Sequence, residues 1–99
     1  MNIKEQLARA ITAAATAAMD KGTLPKGELP EVLLEEPPEK SFGDFATNFA
    51  MQAARPLKAN PKKIAEAIVA CLEVSWLDRA EIAGPGFINF YLKPDWLYT

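Results

Sequence analysis

The stretch AGPGFINFYL, residues 83–92, decides the fold, because a Gly-Pro-Gly turn stands directly before an alternating strand. Two glycines permit backbone angles that other residues avoid, so residues 84–86 are expected to form a tight turn. This turn separates two strand-like runs, over 77–83 and 87–92. The simplest arrangement of such a pair is an antiparallel hairpin.

The second strand of this hairpin has two chemically different faces. Side chains alternate along a strand, and Ile88, Phe90 and Leu92 make an apolar face that we assign to the core. The other face carries Phe87, Asn89 and Tyr91. A row of aromatic, amide and aromatic groups can stack an unpaired base and read its edge by hydrogen bonds. Helices on both sides of the sheet would instead make the row half-buried packing, which periodicity alone favours.

Two helices have clear sequence boundaries. Asn2 is a good N-cap for a helix that runs to about Asp20, and Gly22 follows as a stop signal. Asn60 and Pro61 supply the cap and the first position of a helix that continues through NPKKIAEAIVACL.

The region between these helices is less regular. Residues 21–31 contain two prolines and are expected to form a loop, and VLLEE at 32–36 is expected to form a short strand. A third helix is predicted with Phe45, Phe49 and Ala53 on one face, entered between Ser41 and Asp44 and closed by Pro56. Together the elements predict an α+β fold, with a small sheet of about three to four mainly antiparallel strands packed against about three helices.

Composition limits the chemistry of the chain. Its 99 residues suit one compact domain, and a net charge of -2 argues against a freestanding nucleic-acid binder. It has no histidine, and Cys71 is its only cysteine, so we expect no catalytic residues, no metal site and no disulfide in this chain. No run reaches the roughly 18 apolar residues that a membrane span needs, so no membrane partner is expected. The single thiol suits a reducing cytosol.

Charge is segregated along the chain. Between Glu28 and Asp44 six residues are acidic and only Lys40 is basic. The charged residues of the following segment, which we call the basic cluster, are Arg55, Lys58, Lys62 and Lys63. This cluster lies near a predicted helix N-terminus, where backbone N–H groups favour phosphate, although a merely solvated face is the favoured interpretation. The adjacent Glu35 and Glu36 are expected to point to opposite faces of a strand.

Three motifs in register carry a resemblance to a known family. PPEKSFGDFATNFAMQAAR, NPKKIAEAI and AGPGFINFYL, in this order and spacing, resemble the N-terminal additional domain of bacterial-type arginyl-tRNA synthetases. The resemblance covers residues 31–92, with the alanine-rich first helix also in its expected place.

This resemblance implies contact with the D-loop at the outer corner of tRNA(Arg). By motif position, Phe87 would be the stacking ring and Asn89 the hydrogen-bonding amide. Eukaryotic members have a further amide before the turn, where this chain has Ala83 or Gly84. The family assigns no contact to Tyr91, and Phe42, Gly43, Asp44 and Phe45 are assigned mainly to packing and turn geometry. The expected tRNA-binding residues are Phe87, Asn89 and Gly84 by motif position, Tyr91 by its place in the aromatic row, and the basic cluster Arg55, Lys58, Lys62 and Lys63 by its charge.

The resemblance also implies a larger parent enzyme. The parent would use ATP with magnesium to attach arginine to tRNA in the cytoplasm, whereas this chain carries no ATP-binding signature and is expected to be inactive and to hold no cofactor. Residues 1–93 are expected to form the recognition domain, and 94–99 to begin a connecting helix that is cut short. The catalytic domain of the same parent is the second expected partner. The alternative function is a protein-interaction or folding module that docks this catalytic domain without reading RNA.

Overall fold

The computed structural model describes residues 2–93 of the chain. The elements, in chain order, are helix α1 (Ile3–Asp20), a 3₁₀ turn (Lys40–Phe42), strand β1 (Phe45–Thr47), helices α2 (Phe49–Leu57) and α3 (Pro61–Cys71), and strands β2 (Leu77–Ala83) and β3 (Phe87–Leu92). The predicted α+β class is confirmed, with three α-helices and one three-stranded antiparallel sheet over the described residues.

Strand β3 lies at the centre of the sheet. The strand order is β1-β3-β2, and both neighbours run antiparallel to β3. The predicted hairpin is therefore confirmed, with Ala83 paired to Phe87 across the turn. The two turn glycines adopt left-handed backbone angles, with φ of 57° at Gly84 and 154° at Gly86, which explains why glycine occupies both positions.

The core lies on one face of β3. Ile88 and Phe90 are fully buried, as the alternation predicted. The helices meet them with aliphatic and aromatic side chains, among them the fully buried Ile11, Phe49 and Ile64. The opposite face of β3 carries Phe87, Asn89 and Tyr91.

Two predicted helix starts are confirmed by their capping hydrogen bonds. The Asn2 side chain accepts a hydrogen bond from the Glu5 backbone N–H at 2.8 Å, and the Asn60 side chain accepts one from the Lys62 N–H at 2.8 Å. Each bond satisfies a donor that the first helical turn would otherwise leave unpaired.

The predicted strand over 32–36 is wrong, because only one of its residues pairs. Glu35 and Ala46 exchange two backbone hydrogen bonds of 2.8 Å, which form an isolated bridge. Leu33 is held differently, since its carbonyl accepts a hydrogen bond of 2.7 Å from the Thr47 hydroxyl. At Leu33 a side-chain hydroxyl thus replaces a backbone donor, and β1 is only three residues long, so the pairing stops after one bridge.

The predicted helix around Phe45 begins later than expected. Residues Phe45–Thr47 form β1, and α2 starts at Phe49. The cause is pairing with β3, since Phe45 lies opposite Phe90 in the sheet. Phe45 is buried nevertheless, because an apolar side chain at this position faces the core from the strand.

Two further sequence predictions concern the chain ends and membranes. The connecting helix predicted at 94–99 lies outside the described residues. Within residues 2–93 every helix is too short or too polar to cross a bilayer.

Candidate functional site

The outer face of the sheet carries a row of side chains across adjacent strands. Glu35 lies opposite Ala46, Ala46 opposite Asn89, and Asn89 opposite Glu81. Residues that oppose each other in antiparallel pairing share one face, so these four side chains lie side by side. Ala46 is the smallest of them and leaves open space between Glu35 and Asn89.

An open cavity of about 310 Å³ occupies this space, and we call it the outer-face cavity. One set of lining residues comes from the segment before β1 and the other from the sheet and its hairpin. The lining consists of Glu35, Glu36, Pro37, Pro38, Phe42, Ala46, Ala83, Gly84, Phe87 and Asn89. Its volume lies at the lower end of the range for small-ligand pockets.

Phe87 projects into solvent at the edge of this cavity. It is 42% exposed, so no described helix covers this end of the outer face. Phe42 is 53% exposed and Leu33 is 55% exposed. These three are the large hydrophobic side chains that stand exposed among residues 2–93, and all three line the outer-face cavity or a second cavity of about 220 Å³ that shares Phe87. Clustered exposed apolar groups of this kind typically mark a binding surface.

Asn89 lies beside Phe87 on the same face, and its carboxamide has no internal partner. The residue is only 9% exposed, yet its side chain makes no hydrogen bond to any other residue in the described part of the chain. None of its polar atoms is cut off completely from solvent, so the group is open toward the cavity. A carboxamide offers two N–H donors and one oxygen acceptor, and here all of them are available to a ligand.

Tyr91 is engaged within the protein. Its hydroxyl donates a hydrogen bond of 2.9 Å to the Ser41 carbonyl, and the Arg79 guanidinium lies 3.8 Å from the centre of its ring. Tyr91 does not line the outer-face cavity. A role in packing, the interpretation that the sequence favoured for this residue, agrees with these contacts.

Arg79 is fixed by acidic neighbours on its own strand. Its Nε donates to Glu81 at 2.6 Å and its terminal nitrogen donates to Asp78 at 3.1 Å. The hydrogen bond to Glu81 is the main cause that raises the pKa of the Arg79 guanidinium. Arg79 therefore keeps its positive charge over Tyr91 throughout the accessible pH range.

Carboxylates border the cavity on the side opposite the hairpin. Glu35 and Glu36 both line it, although adjacent strand residues were expected to face opposite ways, because the chain here is not a regular strand. An ionised carboxylate only accepts hydrogen bonds, so this side favours a ligand that carries N–H donors. The described residues contain no group of three or more acidic, cysteine or histidine side chains arranged to hold a metal ion.

The basic cluster lies outside the cavity, near the other side of the hairpin turn. A Cβ built on Gly86 would lie 3.0 Å from the Pro61 Cβ, so the turn rests directly on the start of α3. The members of the cluster, Arg55, Lys58, Lys62 and Lys63, are all exposed, and they occupy the end of α2 and the first turn of α3. The turn thus separates a positively charged surface from the outer-face cavity.

The structure therefore brings some of the predicted site residues together and leaves others apart. Phe87, Asn89 and Gly84 line one cavity, Tyr91 supports it from within the fold, and the basic cluster is nearby but separate. Phe42 is the residue that sequence reasoning missed, because it was assigned to packing. No local pattern in the sequence indicates that its ring is exposed at the same cavity as Phe87.

Comparison with known proteins finds a family model and relatives that match almost the whole chain. Residues 1–92 match the family described as "Arginyl tRNA synthetase N terminal domain". The arginine–tRNA ligase of Desulforamulus reducens is 56% identical over 99 residues, a match that covers 98% of this chain and 18% of the relative. The chain thus spans under a fifth of the length of this curated relative.

Solved structures show the same fold. The arginyl-tRNA synthetase of Plasmodium falciparum superposes with a TM-score of 0.66 at 19% identity, covering 92% of this chain and 17% of that one. The arginyl-tRNA synthetase of Thermus thermophilus gives a TM-score of 0.63 at 23% identity, covering 92% of this chain and 15% of that one.

Proposed function

Because this chain belongs to the arginyl-tRNA synthetase N-terminal domain family, we propose that it recognises the D-loop at the outer corner of tRNA(Arg) for an arginine–tRNA ligase. In this proposal Phe87 stacks on an unpaired base and Asn89 hydrogen-bonds its edge. The observation that carries the proposal is the pairing of an exposed ring with an unpartnered carboxamide in one cavity. Proteins recognise unpaired RNA bases with this combination of groups.

The activity of the parent belongs to the same proposal. The parent would join arginine to tRNA, using ATP with magnesium bound by parts of the enzyme other than this chain. Its catalytic domain would be the second partner of this chain, and the reaction would take place in the cytoplasm. Residues 2–93 would then add affinity for tRNA without taking part in the chemistry.

The alternative is a protein-interaction or folding module that docks the catalytic domain. Under this alternative the outer face of the sheet would be a dry interface. The polar lining of the cavity disfavours it, since burying the carboxamide of Asn89 and the carboxylates of Glu35 and Glu36 without partners would cost free energy. A ligand with its own hydrogen-bonding edge removes that cost.

Chemical footprinting of tRNA(Arg) bound to the full-length ligase separates the two functions. We expect the enzyme to protect D-loop nucleotides, and we expect a variant that carries both Phe87→Ala and Asn89→Leu to lose this protection while still protecting the acceptor stem. Both substitutions lie on the outer face, so the core is left intact. Protection of the D-loop that is unchanged in the double variant would favour the interaction module.

The basic cluster leads to a separate prediction about salt. If Lys62 and Lys63 meet phosphates, replacing both with glutamine should make the slope of log affinity against log salt less steep by about 1 for each lysine. Binding of tRNA by the full-length ligase between low and moderate salt measures this slope.

Lys21 provides the matched control for this change in charge. Its Nζ lies 4.0 Å from the sulfur of Cys71, at the opposite end of α3 from Lys62. The Lys21→Gln variant should keep the slope of the unmodified enzyme. A change of slope in Lys21→Gln half as large as in the double variant, in proportion to the charge removed, would show that only net charge matters and that the basic cluster makes no local contact.

A further inference from the structure

The segment before β1 is clamped against the central strand. The Asp44 N–H donates to the Phe90 carbonyl at 2.8 Å, and the Asp44 carboxylate accepts from the Leu92 N–H at 2.8 Å. Gly43, with φ of 97°, passes so close that a Cβ there would lie 2.8 Å from the Phe90 oxygen. The backbone that leads into β1 therefore has a fixed position on the sheet.

Tyr91 extends this clamp to the residue before Phe42. Its hydroxyl donates to the Ser41 carbonyl at 2.9 Å, and Arg79 covers its ring. The Ser41 carbonyl is thus tied to the outer face of β3, next to the exposed ring of Phe42. Along β3, Asn89 lies between Tyr91 and Phe87. Phe42 and Phe87 both line the outer-face cavity, Phe42 from the segment before β1 and Phe87 from the hairpin.

We propose that Phe42 and Phe87 together enclose one unpaired nucleobase, and that Tyr91 is a positioning residue that holds Phe42 in place. This inference rests on the proposed function and deepens it, because it gives the cavity a second aromatic side. The carboxamide of Asn89, nine-tenths buried and without a partner among the described residues, opens into the cavity that both rings line and would supply the hydrogen bonds to the base edge.

The chemistry of the lining fits a base better than an apolar peptide side chain. Two exposed rings offer flat faces for stacking, which every nucleobase can use. The remaining polar groups are Asn89 and the carboxylates of Glu35 and Glu36, and a hydrogen-bonding edge can meet them, whereas a hydrocarbon cannot. The carboxylates accept only, so they favour a base that presents N–H donors at its edge.

Steady-state kinetics of the full-length ligase test this inference through four variants. We expect Phe42→Ala to raise KM for tRNA(Arg) about fivefold or more, with kcat unchanged, since it removes one stacking surface. Tyr91→Phe removes only the hydroxyl and should raise KM about two- to fivefold. In the Phe42→Ala background, Tyr91→Phe should raise KM no further, because the two residues act through the same ring. Thr16→Ala, at an exposed position of α1 that does not line the outer-face cavity, should leave KM unchanged.

The outcomes separate this inference from the proposed function. If Phe87→Ala raises KM but Phe42→Ala does not, the second aromatic side is wrong while D-loop recognition stands. If Phe87→Ala also leaves KM unchanged, both proposals fail. If the effects of Phe42→Ala and Tyr91→Phe multiply, Tyr91 does not act through Phe42 and the positioning role is overturned.

Discussion

Replacing Phe90 with alanine should lower the free energy of unfolding of the 99-residue chain by about 3–5 kcal/mol. Phe90 is fully buried on the central strand, opposite Phe45 of β1 and Ala80 of β2, so truncation leaves a cavity in the middle of the sheet. Domains of this size are stable by about 5–15 kcal/mol, so the variant should lose a large share of its stability. Urea denaturation followed by far-ultraviolet circular dichroism measures the loss as a lower midpoint at unchanged slope.

Phe87→Ala is the matched control for this measurement. It makes the same substitution on the same strand, but on the exposed outer face. We expect the free energy of unfolding to change by less than about 1 kcal/mol. Equal losses in the two variants would mean that both faces of β3 are packed, which contradicts the open outer face described above.

The same Phe87→Ala change should have its large effect on tRNA use by the full-length ligase. Loss of a stacked base costs about 1–3 kcal/mol, so KM for tRNA(Arg) should rise about 5- to 150-fold. The values of KM for arginine and ATP should stay the same, because Phe87 is exposed on a domain that is distinct from the proposed catalytic part. Aminoacylation assays with each substrate varied in turn measure these constants.

A variant that keeps an aromatic ring sharpens the kinetic test. Phe87→Tyr retains the flat face and adds a hydroxyl at an exposed position, so its KM for tRNA should stay within about twofold of the unmodified enzyme. An increase in KM for arginine in Phe87→Ala would indicate a distorted catalytic part. Unchanged tRNA kinetics in that variant would remove stacking at Phe87 from the proposed function.

The parts of the fold that sequence predicted are those with local signals. Asn60 and Pro61 mark the start of α3 through a cap and a fixed backbone angle, and both act within one turn of the chain. Gly84 and Gly86 mark the hairpin because only glycine adopts their angles at low cost. These residues carry their structural consequence in their own covalent geometry, so no knowledge of distant residues was needed.

The parts that sequence missed depend on residues far away in the chain. Phe45 was placed in a helix because Phe49 and Ala53 follow at helical spacing, but its pairing with Phe90 draws it into a strand. Glu35 forms a single bridge to Ala46, and the Leu33 carbonyl two residues earlier is held by the side chain of Thr47 instead of by a backbone N–H. Tertiary pairing overrides local propensity at each of these positions.

The candidate site divides in the same way. Alternation in β3 assigned Phe87 and Asn89 to one face of the sheet. Their roles as stacking ring and hydrogen-bonding amide came from the resemblance to a family and stay predictions. The sequence could not predict that Phe42 is exposed or that the Asn89 side chain lacks a partner among the described residues. Both features depend on how residues 35–42 fold over the sheet. Tyr91 illustrates the same limit, since its bond to Ser41 joins residues 50 positions apart.

The central position of β3 has a consequence for the order of folding. Its pairing with β2 needs only a short turn, whereas the bond between Asp44 and Leu92 closes a loop of 48 residues. Closing a long loop costs more chain entropy than closing a hairpin, so the hairpin can form early while the segment 35–44 docks late. During synthesis, Phe42 leaves the ribosome before β3, whose Tyr91 is proposed to hold it in place, has been made. The surface proposed to meet RNA is therefore completed only once β3 has emerged.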